Sequence, residues 1–205
     1  MPVGIGLCLI VVLLCLTYAN SFDNGFHYDD YHSIVENPHI RTLASIPEFF
    51  TNPQTFSMLT QRAMFRPLVL SSCALNYYHG QYQANGYRWL NLLVHAACTV
   101  LVFALARALG LNPASAGFAA VVFAFHPLQS ETVNYISSRS ESLAALGYIL
   151  SLLAFVRFRA AAASADGRWF HALSVVALAI GLMAKSTVAT LPAIRPQSPA
   201  SPLGR

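Results

Sequence analysis

The feature that most constrains this chain is a series of long uncharged stretches separated by single basic residues. Residues 1–22 carry no charged side chain, and residues 4–16 are almost wholly apolar. Residues 89–106 are uncharged between Arg88 and Arg107. Residues 108–130 are also uncharged, but Gly110, Asn112 and Pro113 break the start, so a span is expected over about 114–125, closed by His126-Pro127. Residues 142–156 end at Arg157 and Arg159, and residues 169–184 lie between Arg168 and Lys185. A further apolar run opens at Thr187. Helices are the open structures that satisfy their own backbone polar groups in lipid, so these runs predict membrane helices.

Composition agrees. The 205 residues are 56% hydrophobic and 10% charged, against about 25% charged in an average soluble domain. Mean hydropathy is +0.51. These values exclude an ordinary soluble domain and a disordered chain, which needs low hydrophobicity and high net charge. The length accommodates about five spans of roughly 20 residues with loops. Several stretches are shorter than that, so flanking residues must snorkel or the bilayer must thin. The expected fold is therefore an all-α integral membrane protein with about five transmembrane helices.

The first run admits two readings. A signal peptide would have a basic start, a short apolar centre and a small-residue cleavage site. Ala19-Asn20-Ser21 supplies such a site, but no Lys or Arg precedes the run. A retained first span is the favoured reading.

The arginines orient the spans. Arg107 follows the second span, and Arg157, Arg159 and Arg168 lie between the fourth and fifth, with Asp166 the acid among them. Alternating spans put both loops on one side, which the positive-inside rule makes cytoplasmic. The long segment from about 20 to 87 is then outside or luminal. It mixes Arg41, Arg62 and Arg66 with Asp23, Asp29, Asp30, Glu36 and Glu48, without basic bias. Within it, Ile46-Pro47-Glu48-Phe49-Phe50 predicts a short helix, because proline and an acid suit a helix start. Residues 64–78 form an apolar stretch suited to the interface, and residues 81–86 a polar turn. The Pro- and Ser-rich residues 195–205 cannot build a core and are expected to be a disordered tail, leaving 1–194 as the membrane part.

Net charge is +4, but the single lysine and eleven arginines are scattered, which argues against a nucleic-acid partner. Cys8, Cys15, Cys73 and Cys98 form no C-x-x-C pair, so buried thiols are expected rather than a zinc site or disulfides.

Three groups of residues carry chemistry. Asp29 and Asp30, within Phe26-His27-Tyr28-Asp29-Asp30, follow the first span. Adjacent like charges predict one raised pKa, which suits a general base toward a hydroxyl or a divalent-cation ligand. A solvated acidic turn, bent at Asn24-Gly25, is the plainer alternative. His126 and Glu131 follow the third span, where an ionisable group at membrane depth is a functional candidate and an interfacial residue the plainer one. Arg139 can grip a phosphate with its planar fork, pair with Glu141 or anchor the interface. Lys185 ends the fifth span on the outer side, against the charge trend, so it either meets an anion or snorkels. Alternating topology brings Asp29, Asp30, Glu131, Arg139 and Lys185 to one face. Acids and bases around a membrane-surface cavity suit a substrate with a phosphate and a hydroxyl acceptor. A transported anion would suit them too, but these groups gather at a surface rather than along a path through the midplane.

The dispersed motifs resemble a known family. They run as Phe26-His27-Tyr28-Asp29-Asp30-Tyr31-His32-Ser33-Ile34-Val35-Glu36-Asn37, then Phe65-Arg66-Pro67-Leu68, Leu75-Asn76-Tyr77 and Asn91-Leu92-Leu93-Val94-His95. His126-Pro127 with Glu131, Arg139 followed by Ser142-Leu143-Ala144-Ala145-Leu146, and Ala184-Lys185 complete the order. The chain resembles the membrane half of the transmembrane and tetratricopeptide-repeat O-mannosyltransferases, lipid-linked-sugar glycosyltransferases of the GT-C fold. The resemblance implies a dolichyl- or polyprenyl-phosphate sugar donor, mannose above all, and a protein Ser/Thr hydroxyl as acceptor. It implies an inverting transfer with Asp29 or Asp30 as base, Glu131 as a second acid oriented by His126, and Arg139 and Lys185 on the donor phosphate. No metal ligand is implied, and the donor is the lipid-linked sugar rather than a cofactor. Expected partners are membrane lipid, the lipid-linked sugar and an acceptor protein. The expected location is the endoplasmic reticulum membrane in a eukaryote, or the inner membrane in a bacterium. Two departures stand out: Ser186 occupies the place of the family's acid after the lysine, and family members continue into more spans and a tetratricopeptide-repeat domain. The chain is therefore expected to be an N-terminal part of such an enzyme, or else a non-catalytic membrane subunit that binds lipid or a partner chain.

Overall fold

A computed structural model of the chain describes residues 3–161 and 165–194. Every regular element among these residues is helical. The first apolar run forms α1 (Val3–Thr17) and continues through a 3₁₀ turn to Asp23. The segment expected outside is a succession of tight turns. A π-helical turn spans Tyr31–Val35, and 3₁₀ turns span Pro38–Arg41, Leu43–Ser45, Pro53–Phe56 and Thr60–Arg62. The short helix expected at Ile46 is α2 (Ile46–Phe49), followed later by α3 (Pro67–Gly80). Asn37, Thr42 and Asn52 each cap a turn by accepting a hydrogen bond from the N–H two residues on, and proline follows both asparagines.

The bundle continues with α4 (Ala84–Ala108), α5 (Pro113–Phe125), α6 (Gln129–Asn134), α7 (Arg139–Ala160), α8 (Ala165–Ala184) and α9 (Leu191–Ile194). Asn112 caps α5 by accepting from Ser115 N–H at 2.9 Å, with Pro113 at the first helical position. Four segments are long and apolar enough to cross a membrane: Val3–Asp23, Ala84–Ala108, Ile136–Ala160 and Gly167–Ala184. The expected third span is α5, whose 13 residues reach only about 20 Å at 1.5 Å per residue. A hydrocarbon core is about 30 Å thick, so α5 spans it only where the bilayer thins.

Three boundaries differ from expectation. α4 starts at Ala84, so Arg88 is inside the helix and the polar turn shrinks to residues 81–83, where Gln81 adopts φ 49°. α3 does more than lie along the interface: Val69, Leu70, Cys73 and Ala74 are buried while Leu75 and Tyr78 stay exposed. The run from Thr187 forms a 3₁₀ turn (Ser186–Thr190) and α9. Residues 195–205, expected to be a tail, lie outside the described residues.

Two apolar clusters hold the architecture. Ile34, Ile40, Phe49 and Phe56 of the turn-rich segment pack with Val69, Leu70 and Cys73 of α3, and with Tyr87, Ile136, Ala144 and Val188. That cluster seats the segment on one end of the bundle. Leu14 and Tyr18 pack with Leu92, Ala124 and Val133, joining α1 to α4 and α5.

Inside lipid, apolar contact alone does not drive helix association, so close packing and hydrogen bonds decide it. α7 and α8 meet through small residues. A Cβ at Gly147 would lie 2.6 Å from Gly181 Cα, so this approach needs glycine at 147, while a Cβ at Gly181 would crowd Val188 at 3.1 Å. One and two turns further along, Ser151 Oγ donates to Ser174 O at 2.7 Å and Ser174 Oγ donates to Ser151 O at 2.9 Å. On α4, Arg88, Asn91, His95 and Thr99 are buried at spacings that put them on one helical face. Each is partnered: Arg88 donates to the carbonyls of Asn24 and Gly25, Asn91 to those of Val133 and Tyr135, and Thr99 to that of His95. The His95 ring meets Ala124 O at 3.1 Å.

Candidate functional site

The end of the bundle carrying the turn-rich segment contains a charged cavity of about 180 Å³. Its walls come from four places in the sequence: residues 29–33, residues 56–66, residues 135–141 and Lys185. Asp29, Arg62, Arg66, Tyr135, Glu141 and Lys185 supply its polar lining.

Asp29 and Asp30 are neighbours in sequence with opposite surroundings. Asp29 is exposed, and its Oδ1 accepts from Arg62 Nη1 at 2.6 Å and lies 3.2 Å from His32 Nε2. Its Oδ2 receives no hydrogen bond among the described residues. The Asp29 backbone is fixed too: its N–H donates to Tyr135 OH at 2.9 Å, and its carbonyl accepts from Ser33 Oγ at 2.5 Å. Asp30 is fully buried. Its Oδ1 accepts from Ser137 N–H at 2.8 Å and Ser137 Oγ at 2.6 Å, and its Oδ2 accepts from His27 N–H at 3.0 Å. Tyr28, just before the pair, has φ 44°, a left-handed conformation that side chains with a Cβ rarely adopt. The pair thus divides into one carboxylate turned outward and one that ties the first loop to residue 137.

Mutual repulsion predicted a raised pKa within this pair. Partial burial does push the Asp29 carboxyl up, but the hydrogen bonds and positive charge of His32 and Arg62 outweigh it. The net effect holds Asp29 below the ordinary carboxylate value of 3.8. Burial raises the Tyr135 phenol, against the Asp29 N–H that it accepts, and the Asp29 and Asp30 charges add to the rise, so the hydroxyl stays neutral. Burial lowers the Arg66 pKa against the charge of Glu141, yet a guanidinium remains cationic at physiological pH. Arg66 Nη1 donates to Ser140 Oγ at 3.1 Å and its guanidinium carbon lies 5.4 Å from the Phe56 ring centroid. Lys185 forms an ion pair with Glu141.

The remaining candidates sit elsewhere. Arg139 is fully buried behind the cavity wall. Its Nε donates to Asn91 Oδ1 at 2.8 Å, its Nη1 to Ser72 Oγ at 3.0 Å and its Nη2 to Tyr87 O at 2.8 Å. Neither the pairing with Glu141 nor an interfacial position is realised, because α3 and α4 already supply acceptors for its fork. Glu131, on α6, is exposed and is not among the cavity-lining residues. His126 lines a separate apolar groove with Val102, Phe118, Val122 and Phe123. Among the described residues no three His, Cys, Asp or Glu side chains converge to hold a metal ion.

Sequence reasoning missed His32, Arg62, Tyr135 and Glu141 as members of the site, and noted Arg66 only as part of a motif. A usable signal existed for two of them. Arg62 and Arg66 are arginines on the side that lacks a basic bias, where a membrane protein has no topological need for them.

Taken together, these features define an all-helical, multi-pass integral membrane protein with a cavity of mixed charge at one end of its bundle. The family model for dolichyl-phosphate-mannose-protein mannosyltransferase matches residues 65–194, which include Arg66, Arg139, Glu141 and Lys185. The chain belongs to that family. The protein O-mannosyl-transferase Tmtc2 of Drosophila melanogaster is 30% identical over 190 residues, covering 89% of this chain and 20% of that protein. Human TMTC4 is 29% identical over 72% of this chain and 22% of its own length. Human TMTC3 is 27% identical over 73% and 16%. The chain therefore spans about a fifth of the length of these relatives. No solved structure matches it.

Proposed function

We propose that this chain carries the catalytic end of a membrane glycosyltransferase that moves mannose from a dolichyl- or polyprenyl-phosphate donor to a Ser or Thr hydroxyl of protein. One observation carries the reading: a single cavity joins an open carboxylate, Asp29, with three cations, Arg62, Arg66 and Lys185, at one end of the bundle. Asp29 Oδ2 takes the acceptor hydroxyl proton while the oxygen attacks the anomeric carbon. The bond from that carbon to the phosphate oxygen breaks, and the phosphate leaves with its electron pair. Arg66 and Lys185 meet the charge that develops on it, with the Tyr135 hydroxyl as a further donor. Lys185 exchanges its Glu141 carboxylate for the phosphate, so the pair is a resting contact. Asp30 and Arg139 hold the frame, and Glu131 and His126 lie outside the reacting zone. Support for the sugar and the acceptor class comes from the names of the relatives, each a protein O-mannosyl-transferase.

The test is transfer of labelled mannose from dolichyl-phosphate mannose to a Ser/Thr peptide by the chain in reconstituted membranes. The expected result is transfer by the wild type and loss of roughly 100-fold or more in Asp29→Asn, as for removal of a general base. Donor binding should survive that substitution and weaken in Arg66→Ala and Lys185→Ala. Equal transfer by Asp29→Asn would overturn the assignment of the base. The alternative is a non-catalytic membrane subunit that binds lipid without transfer. Unchanged donor binding with no transfer by any form would establish that instead.

A further inference from the structure

Arg62 lines the cavity, yet it has no task in the transfer described so far. Its side chain is half exposed. Among the described residues it bonds only through Nη1, to Asp29 Oδ1 at 2.6 Å and to His32 Nε2 at 3.0 Å. Arg88 and Arg139, by contrast, are buried and spread their forks over several protein acceptors. An exposed ion pair shifts an equilibrium by roughly fivefold at most, so Arg62 is held loosely where those two are locked. Its partners are not loose. Asp29 is fixed by Tyr135 OH and Ser33 Oγ. His32 is fixed by Ser57 Oγ, 2.9 Å from its Nδ1, and by Met58 N–H, which donates to its carbonyl at 3.2 Å.

The contact also opposes itself, because no form of the His32 ring satisfies both neighbours. A bare Nε2 meets the Asp29 oxygen lone pair to lone pair at 3.2 Å, and a protonated Nε2 meets the Arg62 N–H proton to proton at 3.0 Å. Movement of Arg62 relieves the protonated form, whose N–H then donates to Asp29 Oδ1 unopposed. The cavity offers Arg62 somewhere to go. Two carboxylates, Asp29 and Glu141, and three cations, Arg62, Arg66 and Lys185, line it. Asp29 is paired with Arg62 and Glu141 with Lys185, and among the described residues Arg66 pairs with no carboxylate. Before the imidazole is counted, the lining therefore carries one cation in excess, which matches the single negative charge of a phosphodiester. Once such an anion is seated beside Arg66, it competes with the two carboxylates for their cations.

We propose that Arg62 is a catalytic residue shared by the two ends of the transfer: its contact with Asp29 gives way to one with the donor phosphate, where it stays while the bond from sugar to phosphate breaks. This rests on Asp29 as the base proposed above. Charge balance gives the reason. As the acceptor oxygen bonds to the anomeric carbon, its proton goes to Asp29 Oδ2. The carbon–oxygen bond to the phosphate breaks, and the phosphate keeps the electron pair. One unit of negative charge thus leaves the carboxylate and appears on the phosphate. A guanidinium that has already crossed meets that charge with its planar fork. The carboxylate that it has left is the stronger base for having lost a cation. Water then takes the proton from Asp29, and departure of the lipid phosphate returns Arg62 to the carboxylate.

The first measurement needs no transfer. The full chain, labelled with ¹⁵N-arginine and ¹³C-aspartate in dodecyl maltoside, which contains no phosphorus, is frozen and examined by magic-angle-spinning NMR with and without dolichyl phosphate. Couplings from guanidinium ¹⁵N to carboxyl ¹³C or to lipid ³¹P report the contact that Arg62 makes, and its signals are identified by their loss in Arg62→Gln. The expected result is an Arg62–Asp29 coupling that dolichyl phosphate replaces with an Arg62–phosphorus coupling. A phosphorus coupling to Arg66 without one to Arg62 overturns this inference alone. No phosphorus coupling to either overturns the phosphate site along with it. The second measurement is a double-mutant cycle on dolichyl phosphate affinity. Asp29→Asn should tighten binding roughly two- to fivefold, because the lipid no longer competes with a carboxylate for Arg62. In an Arg62→Gln background the same substitution should gain less, and equal gains in both backgrounds overturn the sharing. The third measurement reads a sign. An arginine that only restrained the base would raise kcat on removal. Arg62→Gln should instead lower kcat roughly tenfold or more, as loss of a group facing developing charge does, and an unchanged or raised kcat overturns the catalytic role. A wild type without transfer removes the transferase reading, and the couplings and the cycle still decide whether Arg62 changes partners.

Discussion

Asp29 and Asp30 show how little adjacency says about environment. One carboxylate faces Arg62 and His32, while its neighbour accepts three hydrogen bonds in the interior. Their substitutions should separate cleanly. Asp30→Asn turns an amide N–H toward a backbone N–H or the Ser137 donors, which costs about 1–3 kcal/mol. A lowered thermal midpoint in detergent, with donor affinity intact in the folded fraction, is the expected result. Asp29→Asn removes only the modest stabilisation of a half-exposed ion pair, so it should lower the midpoint by less than Asp30→Asn does. The pH behaviour of Asp29 follows from its surroundings. Its pKa is depressed in the folded chain, so its contribution to stability is present at neutral pH and lost as pH falls through the lowered value. Arg62→Ala removes a main cause of the depression. Infrared titration of the carboxylate should place the Asp29 transition below 3.8 in the wild type, and higher in Arg62→Ala than in the wild type. Coincident transitions in the two proteins would show that Arg62 does not hold the carboxylate.

Among the elements, α4 and α7 share a polar seam that hydropathy alone conceals. Both read as apolar runs, yet Arg88, Asn91 and Arg139 are buried where the two helices meet the turn-rich segment. Arg139 serves acceptors on three directions around its planar fork, which an ammonium group cannot match. Arg139→Lys should therefore lose nearly as much stability as Arg139→Ala, about 3 kcal/mol or more. Unfolding in graded denaturing detergent measures the loss, and a lysine variant as stable as the wild type would contradict the fork geometry. The helices themselves were legible because uncharged length is a one-dimensional signal. The ends of α5, Asn112-Pro113 and His126-Pro127, were legible because capping and proline act locally. The buried setting of Arg139 was not legible, because its amide, carbonyl and hydroxyl acceptors lie 48 to 67 residues away in sequence. A planar cation reads the same whether it faces a phosphate or a ring of protein acceptors.

At the scale of the molecule, alternating spans correctly brought Asp29 and Lys185 to one end of the bundle. Which groups share the cavity was not legible, because the turn-rich segment folds back over α3 and delivers Arg62, Arg66 and His32 from positions with no periodic signature. The family resemblance located the acidic pair, and only packing told its two members apart. The same end of the bundle also depends on a contact well below it. Gly147 and Gly181 touch backbone to backbone, with Glu141 six residues away on α7, about 9 Å along the helix axis, and Lys185 four residues away, just past the end of α8. The two helices work like the arms of pliers riveted at a pair of glycines, with the ion pair at the tips. A wedge at the rivet, Gly147→Val, would splay the jaws from inside the lipid. Dolichyl phosphate should then bind more weakly to a chain whose every phosphate-facing residue is untouched.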